Sequence, residues 1–184
     1  MITITTPPEA LLTHADEMVR QSLGLDGTDR DALADSLLMS AQAELDGPQG
    51  KLGFTVAAQS VIYTANGFEC PAVRLPGGTA IDNVVVTYVD ADGGAQTLDD
   101  ATYVVAGDGT ISLVSGGSWP TIADQSDSVS IAYDITGLED GDPRIDQMKQ
   151  AIIMHAKLHL DMDEPDTRRK VIENMTSTLW TPVC

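Results

Sequence analysis

Cysteine is nearly missing from this chain, with only Cys70 and Cys184 among 184 residues and no CxxC or CxxH spacing around either. A disulfide framework and a cysteine-built zinc site therefore have nothing to stand on. Basic residues are scarce: 10 Lys and Arg face 28 Asp and Glu, a formal charge of −18. Such a chain repels phosphate backbones and anionic lipid, so proteins that grip nucleic acid are disfavoured. Long apolar runs are missing too, and nothing approaches the roughly 20 residues of a membrane helix. The opening Met-Ile-Thr-Ile-Thr-Thr-Pro-Pro has neither the basic start nor the apolar stretch of a signal peptide. The expectation is a soluble protein made in a cytoplasm, with no membrane partner. Catalytic signatures are absent as well: no G-x-S-x-G elbow, no G-x-x-x-x-G-K-[ST] phosphate loop and no G-x-G-x-x-G after a strand. The sequence gives no support for an enzyme and implies no cofactor.

What is present suffices for a core. With 42% hydrophobic residues in 184, one compact domain carrying an inserted module is the default. Charge is unevenly placed. No Lys or Arg occurs between Leu75 and Pro143, a stretch that holds Asp82, Asp90, Asp92, Asp99, Asp100, Asp108, Asp124, Asp127, Asp134, Glu139, Asp140 and Asp142. Six of the ten basic residues follow it: Arg144, Lys149, Lys157, Arg168, Arg169 and Lys170. The basic end of one copy could meet the acidic middle of another, although solvated surface charge is the commoner arrangement.

Residue patterns predict an α+β chain in three stretches. Residues 1–50 read as N-terminal helices: one over 8–23, started by Thr6-Pro7-Pro8-Glu9, and a second after Asp29 with Leu33, Leu37, Ala41 and Leu45 on one stripe. Residues 54–137 read as a β-rich insert with strands at 54–63, 84–89, 103–105, 110–114 and 129–133. Asn66-Gly67, Asp92-Gly93-Gly94, Asp108-Gly109 and Gly116-Gly117 punctuate it, so adjacent strands are expected to pair as antiparallel hairpins. Residues 143–184 read as C-terminal helices and a tail. There Asp142-Pro143 supplies a cap and a first-turn proline, and Ile145, Met148, Ile152, Ala156 and His159 form a stripe. Together these give a helical core with a central antiparallel β insert.

Few residues suggest chemistry. His155, His159 and Asp163 recur at helical spacing and could converge on a metal, the basis of a metal-dependent hydrolase reading. Against it, Ala156 stands where an H-E-x-x-H hydrolase needs its acid, and both histidines flank an apolar stripe where packing is ordinary. Asp90-Ala91-Asp92-Gly93 invites a calcium reading, but Ala95 and Ala101 replace the glycine and glutamate of a calcium loop, and Pro165 disrupts the run from Asp161. A β module binding carbohydrate or calcium is thus a second alternative. Trp119 reads as a core anchor, and Trp180, near the apolar end, as core or as a contact with a partner subunit.

The order of segments resembles the head-tail connector (adaptor, or head-completion) proteins of long-tailed bacteriophages and phage-like gene transfer agents. The resemblance runs through Pro7-Pro8-Glu9-Ala10-Leu11-Leu12, the stretch from Leu33 to Leu45, residues 84–93, Thr97-Leu98 and Tyr103. It continues through Ser118-Trp119-Pro120, residues 128–133, Gln150-Ala151-Ile152-Ile153 and Leu179-Trp180-Thr181-Pro182. It implies a non-catalytic virion protein at the head-tail interface, forming a ring of about twelve copies beneath the portal protein. Downstream stopper or tail-completion proteins would attach below, and DNA would pass through the lumen during packaging and ejection without sequence-specific binding. Assembly contacts are expected at Arg168, Arg169, Lys170, Leu179, Trp180 and Pro182.

Overall fold

Strand-forming and helix-forming residues sort into two units in the computed structural model, which describes residues 1–68, 72–77 and 80–160. Residues 1–8 and 58–137 build a β unit, and residues 9–57 join the chain after 137 in a helical unit.

The β unit holds two antiparallel sheets. Five strands lie in the order β1 (Ile2–Thr6), β2 (Gln59–Ala65), β8 (Val129–Ile135), β4 (Ile81–Val89) and β5 (Ala95–Thr97). Three more, β3 (Ala72–Arg74), β7 (Thr110–Leu113) and β6 (Tyr103–Val105), form the second sheet in the order β3-β7-β6. β8 is the central strand, and its residues obey the period of two that a pleated strand requires: Val129, Ile131, Tyr133 and Ile135 are buried while the residues between them are only partly covered. They join Val61 and Val86 of the same sheet and Val73, Tyr103 and Ile111 of the other in one apolar cluster. Two buried tyrosines satisfy their hydroxyls on backbone: Tyr103 Oη donates to the Val84 carbonyl at 2.8 Å, and Tyr133 Oη to that of Pro76 at 2.7 Å.

Among the described residues the expected hairpins form in two places. Asp90 to Gly94 joins β4 to β5, and Ala106 to Gly109 joins β6 to β7, with Gly93 and Gly109 at positive φ. β1 pairs with β2 across the intervening helices, the other consecutive strands belong to different sheets, and β8 inserts between β2 and β4. Turn residues mark where a strand stops; the partner is set by which face must be buried. The β4–β8 register slips between Asp82 and Val85, where Asn83 takes φ +52° and its side-chain amide donates to Asp134 at 2.8 Å. Asparagine is among the few side chains that tolerate this conformation, which is how a bulge fits here.

The helical unit contains α1 (Glu17–Leu23), α2 (Asp31–Leu45) and α3 (Pro143–Leu160), packed through Val19, Leu23, Ala34, Leu38, Ala41, Leu45, Met148, Ile152 and Ala156. The helix expected over 8–23 begins only at Glu17. Upstream, the Leu11 and His14 N–H groups donate to side chains of α2, Gln42 Oε1 at 2.9 Å and Asp35 Oδ1 at 2.7 Å, and these acceptors replace the carbonyls of a longer helix. The chain before it is a strand, β1, whose Ile-Thr alternation outweighs the Pro-Pro helix start. On α2 the expected Ala41 and Leu45 are buried and Leu37 packs against the same core, but Ala34 and Leu38 complete the stripe in place of Leu33, which is 51% exposed. α3 starts as expected: Asp142 Oδ1 accepts from the Arg144 N–H at 2.9 Å.

The cluster around β8 should dominate the stability of the β unit. Ile131→Ala is expected to cost about 3 kcal/mol. Val104→Ala, on a side chain 54% exposed, should cost at most about 0.5 kcal/mol. Urea unfolding of both variants at unchanged m-value checks the contrast.

Candidate assembly surface

Of the residues expected to carry assembly, Arg168, Arg169, Lys170, Leu179, Trp180 and Pro182 lie outside the described residues, as do Asp163, Cys70 and Cys184. The rest can be placed. His155 and His159 are neighbours on α3 with ring centroids 5.3 Å apart, but they face different surroundings. His155 is buried, and its Nε2 lies 2.7 Å from Glu44 Oε2 of α2, while His159 is exposed. Glu44 is also bonded to Lys51, and that bond is the chief reason its carboxyl sits below the ordinary glutamate value. Nε2 of His155 is thus committed to a carboxylate within a helix-helix contact. Among the described residues no group of three or more His, Cys, Asp or Glu side chains is arranged to hold a metal ion. The second ring nitrogen, Nδ1, is buried without a hydrogen-bond partner. Burial depresses the His155 pKa, and the attraction of Glu44 only partly offsets it.

The acidic turns serve their own loops. Asp90 accepts from the N–H groups of Asp92 at 3.1 Å and Gly94 at 2.8 Å, and from the Gln96 amide at 2.8 Å. Asp99 takes the Ala101 N–H at 3.0 Å, and Asp108 that of Thr110 at 3.0 Å. Trp119 stacks on Phe68 with centroids 4.4 Å apart and planes within 4°, and Phe68 meets Tyr88 edge-on at 6.2 Å. It anchors the β unit as expected of a core tryptophan. This unit carries ten carboxylates against one basic side chain, Arg74.

Acids of the helical unit find partners: Asp142 meets Arg144 at 2.7 Å, and α2 is the fuller case. Each of its three acids is paired with a base of the helical unit: Asp31 with Arg20 at 3.2 Å, Asp35 with His14 at 2.7 Å, and Glu44 with His155 and Lys51. Desolvation raises the Asp35 pKa, yet the backbone and ring bonds from His14 outweigh it and hold the group below its ordinary value. The face turned away from the core, Ala32, Leu33, Ser36, Met39, Ser40 and Ala43, bears no charge, and Met39 is 61% exposed. Reading Leu33 as part of the buried stripe concealed this face. The signal was two overlapping apolar stripes in a helix that has no Lys or Arg.

No protein-family model matches the chain, and no curated protein matches it. Among solved structures, the fold is that of components of virion-like particles and their necks. One chain in the virion of a native gene transfer agent particle is 18% identical with a TM-score of 0.70, covering 100% of this chain and 97% of its own. Chains in the neck of a native gene transfer agent particle, computed with C12 symmetry, and in the neck of an empty particle, computed with C6 symmetry, are each 15% identical. Both have TM-scores of 0.67 and the same coverage. At these identities the likeness is one of fold, and it extends over both units.

The buried imidazole has a measurable consequence. A histidine whose folded pKa lies below its ordinary 6.5 gives the fold stability that is present above 6.5 and lost as pH falls below it. Wild-type protein should lose urea stability as pH falls below about 6.5. His155→Leu should flatten that slope; an unchanged slope would show that His155 is not its source.

Proposed function

We propose that this chain is a structural subunit of a phage-like neck, a head-tail connector that forms a ring of about twelve copies beneath a portal protein. The observation that carries this reading is the length of the fold match: 100% of this chain and 97% of a chain from a particle neck, so the likeness is not to a common module alone. In the C12 and C6 settings of those necks a subunit of this fold is one of a symmetric set. The ordered sequence segments point to the same class independently of the coordinates.

The role is geometric rather than catalytic. The helical unit builds the ring, and the β unit adds an outer or tail-facing surface for stopper or tail-completion proteins. DNA crosses the lumen without sequence-specific contacts, and a subunit of charge −18 suits a passage that must not hold phosphates. Such a protein is made in the cytoplasm of a bacterial host and ends in the virion. The basic run Arg168-Arg169-Lys170 and the apolar Leu179, Trp180 and Pro182 are proposed to contact neighbouring subunits or the portal.

Mass-resolved chromatography and negative-stain imaging of the purified chain, alone and with its portal, test the reading. Rings, or rings seated on the portal, are expected; a monomer in both settings overturns it. Deleting residues 179–184 should weaken ring formation at least about tenfold while leaving the unfolding midpoint in place. Equal loss of both would make that segment part of the subunit core.

A further inference from the structure

One carboxylate in the helical unit is shared by two other elements. Glu44, in the last turn of α2, presents Oε1 to Lys51 Nζ in the turn that follows and Oε2 to His155 Nε2 of α3, the latter at 2.7 Å. We propose that Glu44, Lys51 and His155 form an acid-released clasp. It holds α3 and the turn after α2 against α2 while His155 is the neutral Nε2–H tautomer, and it lets them part when the second ring nitrogen takes a proton.

Geometry fixes the tautomer. The Lys51 bond keeps the Glu44 carboxyl ionised, and an ionised carboxylate only accepts, so the nitrogen facing its Oε2 carries the ring proton. Nδ1 then holds a lone pair, and it is buried without a hydrogen-bond partner. The other tautomer would aim a lone pair at a carboxylate and leave a buried N–H with nothing to accept it. Charging the ring meets the same obstacle: Nε2 keeps its bond, but Nδ1 acquires an N–H in a residue only 8% exposed.

On balance the groups facing the ring favour its neutral form. Among the described residues Glu44 attracts a charge there, while burial, the neighbouring His159 and Lys51 oppose one, burial most of all. α1 also packs on α3, but its charges are committed: Arg20 to Asp31 and the carbonyls of Leu25 and Gly27, and Glu17 to Gln21. Asp46, the next acid after Glu44, is held by the N–H groups of Val56 and Ala57. The opening is local because the partners of Glu44 bear on two short stretches. The Lys51 and Leu52 N–H groups donate to the Glu44 and Leu45 carbonyls at 3.0 and 3.3 Å, and His155 lies near the end of α3. The β unit contains no histidine, so its strands give an internal reference.

Heteronuclear NMR of the full-length chain at about pH 7.5 should show His155 protonated on Nε2 and bare on Nδ1. By about pH 5.5 the amide-exchange protection factors of Lys51, Leu52 and the His155 turn should fall several-fold, within the roughly tenfold that one unit below 6.5 allows, while those of β8 hold. His155→Gln offers Glu44 an amide N–H without a titration, so its protection should stay level across this range. His159→Gln should leave the acid loss in place. An Nδ1–H tautomer overturns the clasp, as does protection that acid leaves unchanged or lowers equally in β8. A loss that survives in His155→Gln, or vanishes in His159→Gln, overturns it too. Should His155→Gln fail to fold, the tautomer and the exchange of wild type and His159→Gln decide. None of these outcomes bears on the connector reading.

Discussion

A buried carboxylate organises the helical unit. Asp46 closes α2, and its oxygens accept the N–H groups of Val56 at 2.6 Å and Ala57 at 3.2 Å, at the point where the chain leaves this unit. The Val56 carbonyl in turn accepts the Leu138 N–H at 2.9 Å, where the chain returns. Departure and return are thereby fixed side by side, which is what an inserted unit requires of its host. Burial raises the Asp46 pKa, and the hydrogen bonds from the Val56 and Ala57 N–H groups oppose that rise. The turn that brings them there admits only Gly50, since a Cβ at that position would lie 2.4 Å from the Leu45 carbonyl oxygen.

From this frame the distribution of charge follows. The β unit spends its acids on turns, where Asp90, Asp99 and Asp108 satisfy backbone N–H groups and leave the loops anionic. In the helical unit Arg20 and Lys51 pair with Asp31 and Glu44 of α2, and Arg144 with Asp142. The β unit therefore presents a surface that disfavours phosphates, which is the property the proposed connector role would ask of it.

Much of this was legible in the sequence, and the misses share a cause. The α+β class, the cap at Asp142-Pro143 and the alternation of β8 are local signals, and they appear where local energetics decide. The start of α1, the exposure of Leu33 on α2 and the order of the strands depend on distant partners. Gln42 and Asp35 capture the Leu11 and His14 N–H groups, and β8 slots between strands that precede it by dozens of residues. The His155-His159 pair was visible as a pattern, but only the coordinates show one ring buried against Glu44 and the other turned to solvent.

The most direct test of the central claim is single-particle imaging of particles purified from cells that make this chain, at a resolution that resolves the strands of the β unit. The account predicts copies of this fold in a rotationally symmetric ring at the neck, surrounding the DNA path. Particles whose neck density fits another fold, or in which this chain is absent, would contradict it.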